Sequence, residues 1–122
     1  MSTPDLDIAQ QFQAAAEDAL RTGDFEPVAA LLAPDVECVM PQHTLQGVDA
    51  LIGELSRVRP TERFDVEFEN GDWKPHGKGR FSCEIRALYR SQVSDDLSYS
   101  RDRSFALTVR DRKVSRFEMR FA

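Results

Sequence analysis

The chain lacks the short motifs that metal and nucleotide sites require. It has only two cysteines, Cys38 and Cys83, and both stand at alternating positions among apolar neighbours. That setting predicts buried, reduced thiols and neither a disulfide nor a metal site. No C-x-x-C, H-E-x-x-H or glycine-rich phosphate loop occurs in the sequence. We therefore predict no cofactor and no metal.

Long apolar runs and strong positive charge are also absent. No apolar stretch is long enough for a membrane span, and the N-terminus is acidic and polar, which predicts a cytoplasmic protein without a membrane partner. The net charge of -5 argues against nucleic acid as a partner, because acids are interleaved with the arginines of the second half. A chain of 122 residues can bury one core unaided, so we predict a single domain over residues 1–122.

Three helices are predicted in the first half of the chain. The segment 3–23 has Pro4 at its first helical position and apolar residues at helical spacing. A second helix over 25–33 is capped by Asp24 and stopped by Pro34. The third helix has the apolar stripe Val48, Leu51, Ile52, Leu55 and Val58.

In the middle of the chain the spacing of apolar residues changes from that of a helix to every second residue, which is typical of a strand. Val36, Cys38 and Met40 point to one side of a strand that Pro41 ends. From Phe64 onward the chain is predicted to form four strands joined by short turns, each with one apolar face and one face of Asp, Glu, Arg and Ser. This order predicts an α+β fold in which a curved antiparallel sheet packs on three helices from the N-terminal half.

These elements resemble a known family. The run GDFEPVAALLAPDVECVMP at 23–41, Gly47 opening a helix and the antiparallel second half ending at 113–121 resemble the nuclear-transport-factor-2-like superfamily. Within it, the pattern is most similar to the SnoaL-like polyketide cyclase and ketosteroid isomerase branch. The resemblance implies a cone-shaped α+β barrel, commonly a homodimer, with a deep cavity between the curved sheet and the long helix. Because such scaffolds host many activities and also non-catalytic proteins, the resemblance does not imply one function.

The catalytic residues of the ketosteroid isomerases have no counterpart in this sequence. Their base is an aspartate directly before the proline that ends the corresponding strand, and that position is Met40 here. The tyrosine of their first helix falls on Ala16, and the carboxylic acid of their penultimate strand falls near Phe105. Since all three residues are apolar, we do not expect ketosteroid isomerase chemistry.

His43 and Asp102 remain as candidate catalytic residues. His43 lies in the loop at the predicted cavity mouth, and imidazole suits general acid–base work; the alternative is an exposed loop histidine. Asp102 faces outward by simple alternation, in a solvated charge lattice with Arg86. It reaches the cavity only if a β-bulge between Asp102 and Phe105 shifts the strand by one residue.

Inward-facing side chains make up the predicted ligand-binding set. Arg101 and Arg103 are its unusual members, because buried guanidinium groups are costly unless paired. They either meet an anionic ligand at the open end of the cavity, pair across a dimer interface, or are turned outward by a bulge. The predicted set is Cys38, Met40, Tyr89, Tyr99, Arg101, Arg103, Phe105 and Phe117.

Two functions are consistent with these residues. One is binding of a hydrophobic small molecule, with or without an anionic group, in a mostly apolar cavity; if the protein is an enzyme, the expected chemistry is cofactor-free proton transfer for isomerisation, cyclisation or hydration. The other is a non-catalytic ligand-binding or dimerisation module, which is favoured because Met40, Ala16 and Phe105 stand where catalytic groups would be.

Overall fold

The computed structural model describes residues 4–57, 64–91 and 97–121, and within these ranges all side chains other than those of 64–65, 97–99 and 121. The helices in these ranges are α1 (Pro4–Thr22), α2 (Glu26–Ala30) and α3 (Val48–Arg57). The strands are β1 (Leu32–Val39), β2 (Thr44–Gln46), β3 (Phe64–Asn70), β4 (Lys74–Gly77), β5 (Arg80–Ser91), β6 (Leu97–Arg110) and β7 (Lys113–Phe121). None of these helices is long and apolar enough to cross a membrane.

Helix α1 forms where the sequence predicts it. Asp5 and Asp7 lie in its first turn and Arg21 in its last, so both ends carry the charge that the helix dipole favours. Gly23 follows the helix with a φ of +85°, and its N–H donates to the carbonyl of Ala19 at 2.8 Å. The buried face of α1 consists of Ala9, Phe12 and Ala19.

The second helix is shorter than predicted, and the strand after it begins earlier. Oδ1 of Asp24 accepts a hydrogen bond from the N–H of Glu26 at 3.2 Å, but the N-cap residue of α2 is Phe25, one position later than predicted. The helix ends early because the N–H of Val114 donates to the carbonyl of Leu31 at 2.7 Å and draws this segment into the sheet. Pairing with a distant strand overrides the local pattern, so the predicted helix over 25–33 is wrong over its last three residues, 31–33.

The strands form one mixed sheet in the order β2-β1-β7-β6-β5-β3, with β4 paired to β5 beside this path. Strands β1 and β7 are parallel, and the other pairings among the described residues are antiparallel. The predicted cone of helices on a curved sheet is confirmed, but the sheet is mixed and does not close into a barrel. The sequence does not predict β2 and β4, because short, mainly exposed strands carry no hydrophobic alternation.

The register of β5 and β6 determines which side chains face the helices. The pairing runs without irregularity up to Tyr89, so Arg101 and Arg103 share one face while Asp102, opposite Arg86, takes the other. The irregularity in this pair falls after Tyr89 and not in the middle of β6. Asp102 is therefore turned away from the helices, which corrects its conditional assignment to the cavity.

A continuous apolar core joins the helices to the sheet. The rings of Phe12 on α1 and Phe117 on β7 have centroids 5.7 Å apart at an interplanar angle of 52°. Both cysteines are free and buried, as predicted. The largest fully buried side chains among the described residues are Val28, Val36, Cys38, Leu51, Leu107 and Val114.

Candidate functional site

A cavity of about 520 Å³ lies between the helices and the inner face of the sheet. Side chains of α1 and α3 form one wall, and side chains of β3, β5, β6 and β7 form the other. A volume of this size is typical of small-molecule sites, which span roughly 300–1,000 Å³. Most of the lining is apolar and includes Leu20, Leu55, Phe68, Ile85, Phe105 and Met119.

Three apolar residues that the family resemblance aligns with catalytic positions lie in the cavity wall. Ala16, Met40 and Phe105 all line the cavity, and the ring of Phe105 lies 5.5 Å from that of Phe117. None of these side chains can transfer a proton. Any polar chemistry must therefore come from the residues around them.

One polar edge of the cavity is built by the hairpin between β1 and β2. Strand β1 ends at Val39, and the N–H of Met40 donates to the carbonyl of His43 at 2.8 Å, which closes a tight turn before β2. This turn places His43 in the cavity lining, with its Nε2 3.2 Å from Oε1 of Glu54 on α3. The histidine side chain is 42% exposed and the glutamate side chain 10%. His43 thus has a carboxylate partner that its sequence neighbourhood does not show.

Glu54 is also held by Arg57, one turn further along α3. Nη2 of Arg57 donates to Oε2 of Glu54 at 2.7 Å. This hydrogen bond, with a smaller contribution from His43, lowers the pKa of Glu54 against the opposing effect of burial. Because the ionised carboxylate only accepts hydrogen bonds, Nε2 of His43 carries the hydrogen in this contact. The other ring nitrogen is then the basic atom of the neutral imidazole.

A second polar group of the cavity lining consists of Tyr89 of β5 with Arg101 and Arg103 of β6, as alternation predicts. Arg101 is exposed and Arg103 half-buried, so the pair stands toward the open part of the cavity. Nη1 of Arg103 donates to the backbone carbonyl of Asp102 at 2.8 Å. Burial, together with the like charge of Arg101, lowers the pKa of Arg103. Two guanidinium groups therefore meet at one end of a mainly apolar space.

A third polar group, at the wall formed by α1, was not predicted from the sequence. Nε2 of Gln13 donates to Oε1 of Glu17 at 3.3 Å, and Nδ2 of Asn70 donates to the same oxygen at 2.5 Å. The indole Nε1–H of Trp73 donates to Oε1 of Gln13 at 2.6 Å. Gln13, Glu17 and Trp73 line the cavity. The spacing of Gln13 and Glu17 on α1 is visible in the sequence, but their contacts with later segments are not.

Cys38 and Asp102 lie away from the cavity. Cys38 is fully buried in the core and is absent from the cavity lining, and burial raises the pKa of its thiol to about 11. Asp102 is exposed on the outer face, where its Oδ1 accepts a hydrogen bond from Nε of Arg86 at 2.7 Å. The backbone of Tyr99 lies opposite Tyr89, but its side chain falls outside the described residues.

The remaining predicted ligand-binding residues, Met40, Phe105 and Phe117, line the cavity together with Tyr89 and the arginines. Within 4–57, 64–91 and 97–121, no three His, Cys, Asp or Glu side chains are grouped so that they could hold a metal ion. The described residues of the cavity lining include four side chains of types that act as general acids or bases: Glu17, His43, Glu54 and Tyr89.

Comparison with known proteins identifies the fold. No protein-family model and no curated protein matches the chain. Among solved structures, an NTF2-like protein from Anabaena variabilis covers 100% of this chain and 94% of its own, with a TM-score of 0.81 and 16% identity. A protein from Xanthomonas campestris named as a candidate polyketide cyclase covers 97% and 93%, with a TM-score of 0.71 and 20% identity. TerC, co-crystallised with polyporic acid, covers 98% and 92%, with a TM-score of 0.71 and 19% identity.

These similarities confirm the resemblance predicted from residues 23–41 and from the strands of the second half. The chain has the nuclear-transport-factor-2-like fold. At such low identities the similarity establishes the fold alone, and function has to be argued from the cavity.

Proposed function

We propose that this chain, with its nuclear-transport-factor-2-like fold, binds a hydrophobic small molecule that carries an anionic group. The observation that carries the proposal is the position of Arg101 and Arg103 in the wall of a mainly apolar cavity. Guanidinium groups recognise carboxylates and phenolates through their fork of N–H donors, and the apolar walls accept the rest of the molecule.

The electrostatics of the arginine edge favour an anion. Burial and the neighbouring charge of Arg101 both lower the pKa of Arg103, so each makes the charged form less favourable. A bound anion would counteract both effects. TerC, which shares the fold, was crystallised with polyporic acid, and the ligand that we propose for this chain is likewise an acid.

Isothermal titration calorimetry with cinnamate and cinnamamide tests this proposal. The two probes share an apolar body and differ in charge. We expect the wild-type chain to bind cinnamate about tenfold more tightly, and Arg103→Gln to lose that preference. Arg110→Gln is the matched control, because Arg110 lies on the same strand outside the cavity lining. Equal affinities for the two probes in the wild-type chain would contradict the proposal.

A second candidate function, cofactor-free proton transfer, is favoured by the contact between His43 and Glu54. A carboxylate that orients an imidazole and stabilises its protonated form is a common arrangement for a general base. Such a base would serve isomerisation, cyclisation or hydration. Negative charge that develops on a substrate oxygen would be stabilised by Arg101 and Arg103.

Nitrobenzisoxazole is a suitable probe for this base. Removal of its carbon-bound proton breaks the nitrogen–oxygen bond and gives a coloured cyanophenolate. We expect His43→Gln to lose at least about tenfold of the catalysed rate. The matched control is His76→Gln, since His76 lies on β4, contacts Ser82 at 2.6 Å and is not in the cavity lining. Equal rates in all three proteins would exclude His43 as a base and favour the non-catalytic binding module.

A further inference from the structure

Given the anion-binding function proposed above, we infer that the ligand is a hydroxy acid and that Glu17 receives its hydroxyl group. The acidic end meets Arg101 and Arg103, and the hydroxyl end donates a hydrogen bond to Oε2 of Glu17. The cavity then binds its ligand at two polar points, with an apolar body between them.

The hydrogen bonds of Glu17 leave one oxygen open to a ligand. Both amide donors, from Gln13 and Asn70, reach Oε1. Within residues 4–57, 64–91 and 97–121, Oε2 accepts no hydrogen bond. A carboxylate oxygen has room for two such bonds, so Oε2 is an acceptor fixed in place by the interactions of its partner oxygen.

An acceptor of this kind discriminates between ligands. A ligand that covers Oε2 without donating a hydrogen bond leaves a buried charged acceptor unsatisfied, which weakens binding. A hydroxyl group satisfies it, whereas an ether at the same place presents only another acceptor. Glu17 therefore selects a hydroxyl over an ether, and the selection is independent of the charge recognised by the arginines.

The strand register sets the spacing between the two polar points. Asn70, Ile85 and Arg103 form one row across β3, β5 and β6. Neighbouring strands lie about 4.8 Å apart, so the backbones of Asn70 and Arg103 are separated by about 10 Å. Glu17 is held over one end of this row, Arg103 occupies the other, and Ile85 of the cavity lining lies between them. The span suits a small aromatic acid with its hydroxyl group at the far end.

Calorimetry with para-coumarate and para-methoxycinnamate tests the role of Glu17, because only the first probe donates a hydrogen bond at that end. We expect the wild-type chain to bind para-coumarate about tenfold more tightly. Glu17→Met removes the acceptor but keeps a good helix former, and it should bind the two probes equally. Glu17→Gln should also lose the preference, since its amide oxygen is engaged by Gln13 and Asn70 and its N–H group replaces Oε2.

The matched control is Asp18→Met, which changes an exposed acid next to Glu17 that is not in the cavity lining. It should keep the preference for the hydroxyl. If the wild-type chain favours cinnamate over cinnamamide but binds para-coumarate and para-methoxycinnamate equally, the role of Glu17 is wrong and the arginine site stands. If Glu17→Met still prefers para-coumarate, the proposed role of Glu17 is also wrong, and the arginine site again stands. Loss of the preference for cinnamate would instead count against the proposed function.

Discussion

The inner face of the sheet has two halves that differ in packing. In the closed half, side chains are 6% exposed or less. Its members are Val36, Phe81, Leu107, Val109 and Val114. In the cavity half, side chains on the same strands are partly exposed and surround the cavity. Its members are Ile85, Arg103, Phe105 and Met119.

The difference arises along single strands. On β6, Leu107 is 1% exposed, whereas Arg103, four positions away on the same face, lies in the cavity wall. Buried apolar area stabilises the closed half, and the cavity half gives up some of that packing to leave room for a ligand. Stability and binding should therefore respond to different residues of one sheet.

Truncating one side chain in each half gives the largest expected contrast. We expect Leu107→Ala to lower the free energy of unfolding by about 4 kcal/mol, because the closed half cannot collapse around the space. Ile85→Ala should cost about 1 kcal/mol, since this side chain already borders open space. Urea denaturation measures both values. Equal losses would contradict the division into two halves.

The turn between β4 and β5 tests how tightly the closed half is packed. Gly79 has a φ of +73°, and a Cβ added there would lie 2.2 Å from the carbonyl oxygen of Val109. The N–H of Val109 also donates to the carbonyl of Gly79 at 2.8 Å. We expect Gly79→Ala to lower the free energy of unfolding by about 3 kcal/mol, as measured by urea denaturation.

Gly77 provides the control for that substitution. Its φ is +84°, but nothing lies within 4 Å of an added Cβ. Gly77→Ala should therefore cost only the backbone strain, about 1 kcal/mol. Similar losses at the two glycines would mean that strain alone sets the effect and that the contact with Val109 contributes nothing.

Cys38 tests whether a residue predicted to bind ligand belongs to the closed half. Burial, and secondarily Glu54, raise its pKa from 9.0 to about 11. A raised folded-state pKa favours the neutral thiol, so this stabilisation is complete below about pH 9 and is lost as the pH rises toward about 11. We expect the thiol to account for about 1.4 kcal/mol of lost stability between about pH 8 and about pH 10. Urea denaturation of Cys38→Ala should show a smaller loss in the free energy of unfolding over this pH range, by about the same amount. If the free energies of the wild-type chain and the variant fall in parallel with pH, the thiol does not contribute.

The sequence predicts those parts of the fold that depend on local signals. Helix α1 is bounded by Pro4 and Gly23, and the apolar residues of β5 and β6 alternate along the sequence. The sequence fails where a distant partner decides the structure. Leu32 fits a helix as well as a strand, and its pairing with Val114 selects the strand. The short strands β2 and β4 likewise depend on their partners.

The site is less predictable, because alternation reports the face of a strand but not the extent of the cavity along it. Arg103 was predicted to face inward, and it lines the cavity. Cys38 and Met40 are two positions apart and were predicted to face the same side of the sheet. Met40 lines the cavity, however, and Cys38 lies in the core. Glu54 lies one helical turn after Leu51, but its contact with His43 joins a hairpin to a helix. Such contacts follow from tertiary structure and leave no periodic signal.

The cavity half should show the opposite pH dependence, with a smaller magnitude. The hydrogen bond from Arg57 is the main cause that lowers the pKa of Glu54, and His43 contributes less. A lowered folded-state pKa means that Glu54 stabilises the protein above its ordinary value of 4.5 and that this contribution is lost as the pH falls through the lowered pKa. We expect Glu54→Gln to reduce the acid-induced loss of stability by about 0.5 kcal/mol, because Arg57 is mostly exposed. Urea denaturation between about pH 3 and about pH 6 measures this difference.

Two further variants separate the causes of this dependence at Glu54. Arg57→Gln removes the stronger hydrogen bond, so it should reproduce most of the effect of Glu54→Gln, whereas His43→Gln should reproduce a smaller part. If His43→Gln has a larger effect than Arg57→Gln, the contact with His43 is what keeps Glu54 ionised. The ionisation of Glu54 would then depend mainly on whether His43, the proposed base, is protonated. With the expected order, Glu54 remains ionised through Arg57 whether or not His43 carries a proton, which is what a carboxylate that orients a proton-transferring imidazole requires.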